Sequence, residues 1–256
     1  MEQKLLLAKL LKGFSSRMFR LSKRIEYFGC ESSIFRYIDC FETIDVLLKF
    51  IQPKYLCDIG ANAGNWTYVL SQMSPTLEHV VFFEPQSQYQ EKLQSLSLPG
   101  VSKVIYHCGL GEREDKLLIK GGTASASFLD SEQQNKYFPN SISQNQQDME
   151  EVEIRTLDAI YANDNLPIPD VIKLDVQGFE LEVLKGSMNL LKKSKYLVIE
   201  LSFRQFYREQ PYLWEIIKLL EENKYIMVGK GFEWRYYENP SEILQMDAIF
   251  KNTDVM

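Results

Sequence analysis

The chain has 256 residues, 45% apolar and 25% charged, with 13 Gly and 9 Pro. That balance excludes a disordered tail, a collagen-like chain and a disulfide scaffold, and the length suits one large α/β domain with a full core. A formal charge of −6 with two histidines lacks the basic footprint that phosphate recognition requires, so no nucleic-acid partner is expected.

Residues 1–24 carry seven Lys or Arg against one acid, Glu2, with Leu5, Leu6, Leu10 and Phe14 near helical spacing. This predicts a basic helical segment over residues 1–40 that caps the main domain, 41–256. Peripheral contact with an anionic membrane is the other use of such a face. A helix is predicted over 41–51, ended by Pro53. Tyr55–Ile59 reads as a buried strand closed by Gly60, 66–73 as a helix and His79–Phe83 as a second strand ended by Glu84-Pro85. Residues 88–96 are helical in pattern and 101–107 form a third strand. The β-α-β-α-β order predicts a parallel sheet with helices on both faces.

An insertion follows at 121–151, rich in Ser, Gln and Asn. It leaves the sheet at the ligand-bearing edge. It is therefore expected to be a lid, with Tyr137 and Phe138 packed inward and its Gln/Asn stretch in water; a disordered surface loop is the alternative. Residues 170–174 give a fourth strand, 179–184 a helix, 195–201 a fifth strand and Leu213–Glu222 a helix. Residues 225–229 and 247–250 read as a last pair in a hairpin-type edge. No apolar run approaches the roughly 18 residues that span a bilayer. Cys30, Cys40, Cys57 and Cys108 form no CxxC pair. With no signal peptide recognised, they are expected to be free thiols in a reducing cytoplasm, with no metal site.

Ligands of parallel α/β sheets bind beyond the carboxyl ends of the strands. The first strand ends in Asp58-Ile59-Gly60-Ala61-Asn62-Ala63-Gly64. This is G-x-x-x-G, not the G-x-G-x-x-G of a dinucleotide loop. An acid two residues before the first glycine would repel a pyrophosphate and suits an ammonium or sulfonium. Glu84 ends the second strand and can accept hydrogen bonds from both hydroxyls of a ribose. Together they imply a nucleoside with a cationic tail, the shape of S-adenosylmethionine.

The glycine loop, Phe83-Glu84-Pro85, Arg155-Thr156-Leu157-Asp158 and the block running from Ile172-Lys173-Leu174-Asp175-Val176-Gln177-Gly178-Phe179-Glu180 to Gly186 resemble the FkbM-type methyltransferases over roughly residues 40–205. The resemblance implies a Rossmann-like class I fold, with a seven-stranded sheet of six parallel strands and an antiparallel last one. It also implies S-adenosylmethionine as cofactor and O-methylation, often of a sugar hydroxyl. Asp58, Gly60, Asn62, Gly64 and Glu84 match its cofactor-binding positions, and Asp175 and Gly178 its fourth-strand motif. Gln177 stands where many relatives have Glu.

Methyl transfer needs an acceptor oxygen aligned about 3 Å from the methyl group and a base for its proton. Asp175, at the end of the fourth strand, is the expected base, or a cap for the helix after Gly178. Glu200 is expected to orient the acceptor hydroxyl, or to make a structural hydrogen bond. Glu180, in a first helical turn, is placed behind the reacting groups. His107 is expected near the adenine, and His79, at the far end of the sheet, is structural. Phe203, Phe206 and Tyr207, with Trp234, Tyr236 and Tyr237, are core residues or sugar-stacking surfaces. Ser125 and Ser127 line the entrance or form a plain turn. The expected activity is O-methylation of a sugar, glycan or similar small metabolite. A catalytically silent cofactor-binding subunit is the rival that Gln177 keeps open, and an NAD-dependent oxidoreductase is the rival within the fold. An amino-methylating enzyme would place an Asn/Asp-Pro-Pro-aromatic motif after the fourth strand, where this chain has Asp175-Val176-Gln177-Gly178.

Overall fold

The structure is a computed structural model that describes residues 36–121, 124–131, 137 and 149–255. Residues 1–35 of the basic segment, Cys30 among them, Phe138 and the Gln/Asn stretch lie outside the described residues, while residues 38–40 belong to the first helix of the domain.

Helix α1 (Ile38–Leu47) leads into β1 (Tyr55–Ile59), α2 (Asn65–Met73), β2 (His79–Phe83), α3 (Ser87–Ser95) and β3 (Ser102–Tyr106). Strands β4 (Gly109–Leu110), β5 (Asp115–Lys120) and β6 (Met149–Arg155) follow, then α4 (Leu157–Asn163) and β7 (Val171–Leu174). The chain finishes with α5 (Glu180–Lys185), α6 (Met188–Leu191), β8 (Tyr196–Ser202), α7 (Leu213–Glu222), β9 (Tyr225–Arg235) and β10 (Ile243–Asn252).

The main sheet has seven strands in the order β3-β2-β1-β7-β8-β10-β9, and β10 alone runs against the others. This is the mostly parallel α/β sheet that the alternating elements imply. The expected hairpin at the edge is present, with both strands longer than their apolar runs. Its second strand, β10, lies inside the sheet between β8 and β9.

Strand alternation divides the core in two. Cys57, Ile59, Ile172, Leu174, Leu197 and Ile199 face a cluster with Leu157, Val183, Leu191 and Leu220 of the helices α4 to α7. Leu56, Val80, Phe82, Val171 and Val198 face the other way, onto Phe41 and Ile44 of α1 and Val69 and Leu70 of α2.

The region after β3 differs from expectation. It builds a second, three-stranded sheet of order β4-β6-β5, so the 121–151 insertion gives its last residues to β6. Val152 and Ile154 of β6 are buried while Glu151 and Glu153 are exposed, which is strand alternation on a strongly acidic segment. Ile119, Ala126 and Val152 form the small core of this sheet with Phe128 against it. Tyr137, from the insertion, packs edge-on to Phe206 and Tyr236 at centroid distances of 5.7 and 5.3 Å. Helix α4 also arises here, started by Thr156, whose side chain accepts from the Ala159 N–H. No helix among the described residues is long and apolar enough to cross a membrane.

Gly60 and Gly100 both have left-handed backbones, with φ of 72° and 78°. A Cβ on Gly60 would lie 1.8 Å from the Asp175 carbonyl oxygen, whereas one on Gly100 meets nothing within 4 Å. Gly100→Ala is expected to cost only the conformational penalty, about 1–2 kcal/mol. Gly60→Ala is expected to cost at least about 3 kcal/mol, because backbone must move as well. Thermal unfolding compares the two, and equal losses would contradict this packing.

Candidate active site

The glycine loop turns through left-handed residues, Gly60 at φ 72°, Asn62 at 51° and Gly64 at 77°. The Gly60 and Ala61 N–H groups donate to the Phe83 carbonyl at 3.0 and 3.1 Å, binding the loop to the end of β2. Glu84 is only 3% exposed. Its two carboxylate oxygens accept from the Asn62 N–H at 2.7 Å and the Gln86 N–H at 2.9 Å. Burial pushes its carboxyl above the usual range, and these donors pull it back. Gly60, Asn62, Phe83, Glu84 and Gln86 line a cavity of about 210 Å³. Each Glu84 oxygen retains acceptor capacity for a hydroxyl, so the cavity fits the diol end of a nucleoside.

Asp58 does not line this cavity, and neither does Gly64. Asp58 is fully buried. Its Oδ2 accepts from the Thr67 hydroxyl at 2.6 Å, and its Oδ1 lies 3.3 Å from Lys173 Nζ. The expected direct contact with a cationic ligand is thus replaced by a supporting role beneath the loop. Gly64 faces α3 instead, where a Cβ would meet Leu96 at 2.5 Å and Leu93 at 3.1 Å.

Lys173 is the register partner of Asp58 on β7 and is 7% exposed. Its ammonium donates to the Gly60 carbonyl at 2.8 Å and lies 3.8 Å from Asp175. Burial works against this charge, but Asp58 and Asp175 more than offset it and hold the lysine well above its ordinary value.

A second cavity, of about 280 Å³, adjoins the first. Asp39, Cys40, Trp66, Ala124, Lys173, Asp175 and Gln177 line both. Glu200, Gln245, Asp247, Phe232 and Trp234 line only the second. Asp175 thus stands on the seam. The Gln177 amide donates to Asp175 Oδ1 at 2.9 Å and to Glu200 Oε2 at 3.3 Å. Tyr207 donates its hydroxyl to Gln177 Oε1 at 3.1 Å, and Gln245 donates to Glu200 Oε2 at 2.8 Å. Gln177 is itself at φ 56°, with its carbonyl held by the Ser127 hydroxyl at 2.7 Å. Burial raises Glu200 well above the carboxylate range, and the nearby charges of Asp175, Glu180 and Asp247 add to that. Burial likewise lifts Asp247 to about 7, against the hydrogen bond it accepts from Thr43.

The remaining expected residues separate. Asp175 does not cap α5, whose N-cap is Phe179 and which has no side-chain cap. Glu180 is buried, and its Oε1 accepts from the Val176 and Gly178 N–H groups at 3.1 Å each, bracing the turn after β7. His107 does not line the first cavity; its Nε2 is 2.9 Å from the Pro85 carbonyl. His79 meets Ser102 at the start of β2, far from the cavities. Phe206, Tyr207, Ser125 and Trp234 line the second cavity, and Phe203, Tyr236, Tyr237 and Ser127 do not. Asp39, Lys173, Phe232, Gln245 and Asp247 had no assigned role in the sequence. A lysine inside a four-residue buried strand and an acid opening an apolar one were the signals for Lys173 and Asp247. Among the described residues no group of side chains is placed to hold a metal ion.

Residues 58–227 match the family described as the methyltransferase FkbM domain. The chain is 28% identical over 156 residues to hexuronic acid methyltransferase AglP of Haloferax volcanii, covering 59% of this chain and 56% of that protein. It is 26% identical over 152 residues to methyltransferase 1 of Beauveria bassiana, covering 54% of this chain and 59% of that protein. The chain therefore spans a little over half the length of the curated relatives it matches. Its fold is like that of methyltransferase FkbM from Methylobacillus flagellatus, with a TM-score of 0.51 at 19% identity over 80% of this chain and 45% of that one.

Burial also lifts Glu180 to about 7, against the backbone donors that favour its charge. In the unfolded chain a glutamate titrates near 4.3. Between about pH 4 and 7 the folded protein therefore holds the extra proton, and this group's contribution to stability falls as pH rises through that window. Glu180→Gln keeps an acceptor for the turn and removes the titration. The variant is expected to lose less stability than the parent between pH 4.5 and 7.5, by about 1–3 kcal/mol in chemical denaturation. The same pH dependence in both would contradict a buried, proton-binding Glu180.

Proposed function

The chain belongs to the FkbM methyltransferase family, and on that premise we propose that it transfers a methyl group from S-adenosylmethionine to a hydroxyl of a sugar, glycan or similar hydroxylated metabolite. The observation that carries the reading is the seam. One cavity holds the diol-accepting Glu84, the next holds Glu200, and Asp175 lines both. The name of the Haloferax relative, a hexuronic acid methyltransferase, supports a carbohydrate acceptor. So do Phe232 and Trp234 in the wall of the second cavity. The free thiols Cys40, Cys57 and Cys108 support a reducing, cytoplasmic setting.

When bound, the cofactor supplies an electrophilic methyl group on a sulfonium. Glu84 accepts the ribose hydroxyls, and the glycine loop gives the nucleoside close access to backbone. Asp175 takes the proton of the acceptor hydroxyl. Its side chain is 38% exposed, so it reaches into the cavities, while Lys173 and the Gln177 amide hold it from behind. Glu200 is kept toward its protonated form by burial and by Asp175 beside it, so it orients the hydroxyl rather than deprotonating it. Gln177 joins the two carboxyls through one amide, and a Glu there would place a third carboxylate between them. The glutamine is therefore a working part of this arrangement and not a mark of a silent subunit.

Glu84→Gln is expected to weaken S-adenosylhomocysteine binding at least about tenfold by calorimetry, the worth of charged hydrogen bonds. Asp175→Asn is expected to lower turnover about 10²-fold or more while that affinity stays within about threefold. Unchanged affinity in the first variant, or full activity in the second, would contradict the assignment.

A further inference from the structure

We infer that the acceptor is an uncharged sugar, and that the carboxylate-lined wall of the second cavity rejects sugars carrying a negative charge. The inference rests on the methyl-transfer reading and deepens it.

The wall follows from sheet register. Asp58 pairs with Lys173 across β1 and β7, and Glu200 pairs with Asp247 across β8 and β10. These side chains lie on the sheet face that α1 covers, and α1 adds Asp39. The cavity is thus lined by Asp39, Asp175, Glu200 and Asp247. Lys173 is the one cation among its described lining residues, and its ammonium is already engaged by Asp58, Asp175 and the Gly60 carbonyl. Cations on β9 and just after β8 are paired as well. Lys230 and Arg235 hold Glu233 at 2.6 and 2.5 Å, and Arg204 holds Glu242 at 2.8 Å.

A uronate in this cavity would meet the charges of Asp39 and Asp175 and find no unpaired cation among the described lining residues. Like charges brought together at a desolvated interface cost several kcal/mol. Burial and the charges of neighbouring carboxyls, Asp175 above all, push Glu200 and Asp247 toward protonation, so the cavity resists added negative charge. Hydroxyl groups have the opposite fit. They donate to the carboxylates and accept from the carboxylic acid forms. Phe232 and Trp234 stand edge to face, 5.0 Å apart at 81°, and offer apolar surface to the C–H face of a sugar ring. The inference separates this chain from the Haloferax relative, whose name specifies a hexuronic acid.

The test uses the full chain with S-adenosylmethionine and three matched sets of methyl glycosides: hexoses, their hexuronic acids and their hexuronamides. The amide keeps the shape of the uronate without its charge. S-adenosylhomocysteine release is measured, and acceptor affinity for the S-adenosylhomocysteine-loaded protein is measured by calorimetry. Hexosides and hexuronamides are expected to bind and react, and uronates to show kcat/KM at least about 20-fold lower, with affinity reduced in step. Asp39→Asn is expected to narrow that gap, and Asp247→Asn to narrow it above about pH 7, where that carboxyl is charged. Equal handling of a uronate and its amide would overturn the charge selection, and preference for an ammonium-bearing amino sugar over the hexose would overturn the uncharged acceptor; either result leaves methyl transfer standing. A gap that both variants preserve in full would overturn its assignment to these carboxylates. Release of no S-adenosylhomocysteine with any acceptor, by protein that binds this nucleoside, would overturn the methyl-transfer reading and this inference with it.

Discussion

The site depends on one buried ion pair. Asp58 and Lys173 sit side by side on β1 and β7 under the glycine loop, out of water. Such a pair is no simple source of stability, because desolvating two charges costs several kcal/mol for each. Its effect is geometric. Lys173 also donates to the Gly60 carbonyl and approaches Asp175, while Asp58 accepts from Thr67 of α2. Four pieces of chain that could otherwise shift independently are tied to one ammonium and one carboxylate. Gly60 completes the constraint, since the Asp175 carbonyl leaves no room for a Cβ there. The glycine loop and Asp175 are therefore held at fixed spacing before any ligand arrives, which is the preorganisation that the proposed transfer calls for.

A second consequence concerns charge. Polar side chains from β1, β7, β8 and β10 share the α1 face of the sheet, and carboxyls outnumber cations among them. The protein accommodates the excess in two ways. Burial holds Glu200 and Asp247 toward their protonated forms, and the Gln177 amide donates to two carboxyls without adding a charge. The Tyr207 hydroxyl fixes which end of that amide faces the carboxyls, because it donates to the amide oxygen. A carboxylate-rich site beside a sulfonium is self-consistent. In the proposed reaction a bound cofactor would supply the cationic methyl donor, and a carboxyl of the site would keep the proton of the acceptor hydroxyl.

Much of this was legible in the chain itself. The strands of the main sheet stand out as short apolar runs, and the block after Lys173 names the family. Strands β5 and β6 were hidden because their buried face is narrow. Val152 and Ile154 alternate with glutamates in a segment that reads as solvated. The direction of Asp58 was also hidden. Its spacing from the glycines suits a ligand contact, and only the arrival of Lys173 and Thr67 from other elements turns it inward. Asp39 and Asp247 reach the cavity through helix packing and an antiparallel strand inserted beside β8, contacts that no local pattern encodes. Glu84, Asp175 and Glu200 could be placed on the cavity walls from sequence because strand ends can be located there, and ligands of parallel sheets bind beyond those ends.

The most direct test of the two-cavity account is a crystal structure of the protein with S-adenosylhomocysteine. The account predicts the ribose hydroxyls on the Glu84 carboxylate, the glycine loop against the nucleoside, and the sulfur at the seam facing Asp175 and Gln177. Asp58 should remain buried on Lys173, without touching the ligand. A ribose held away from Glu84, or a sulfur turned away from Asp175, would contradict it.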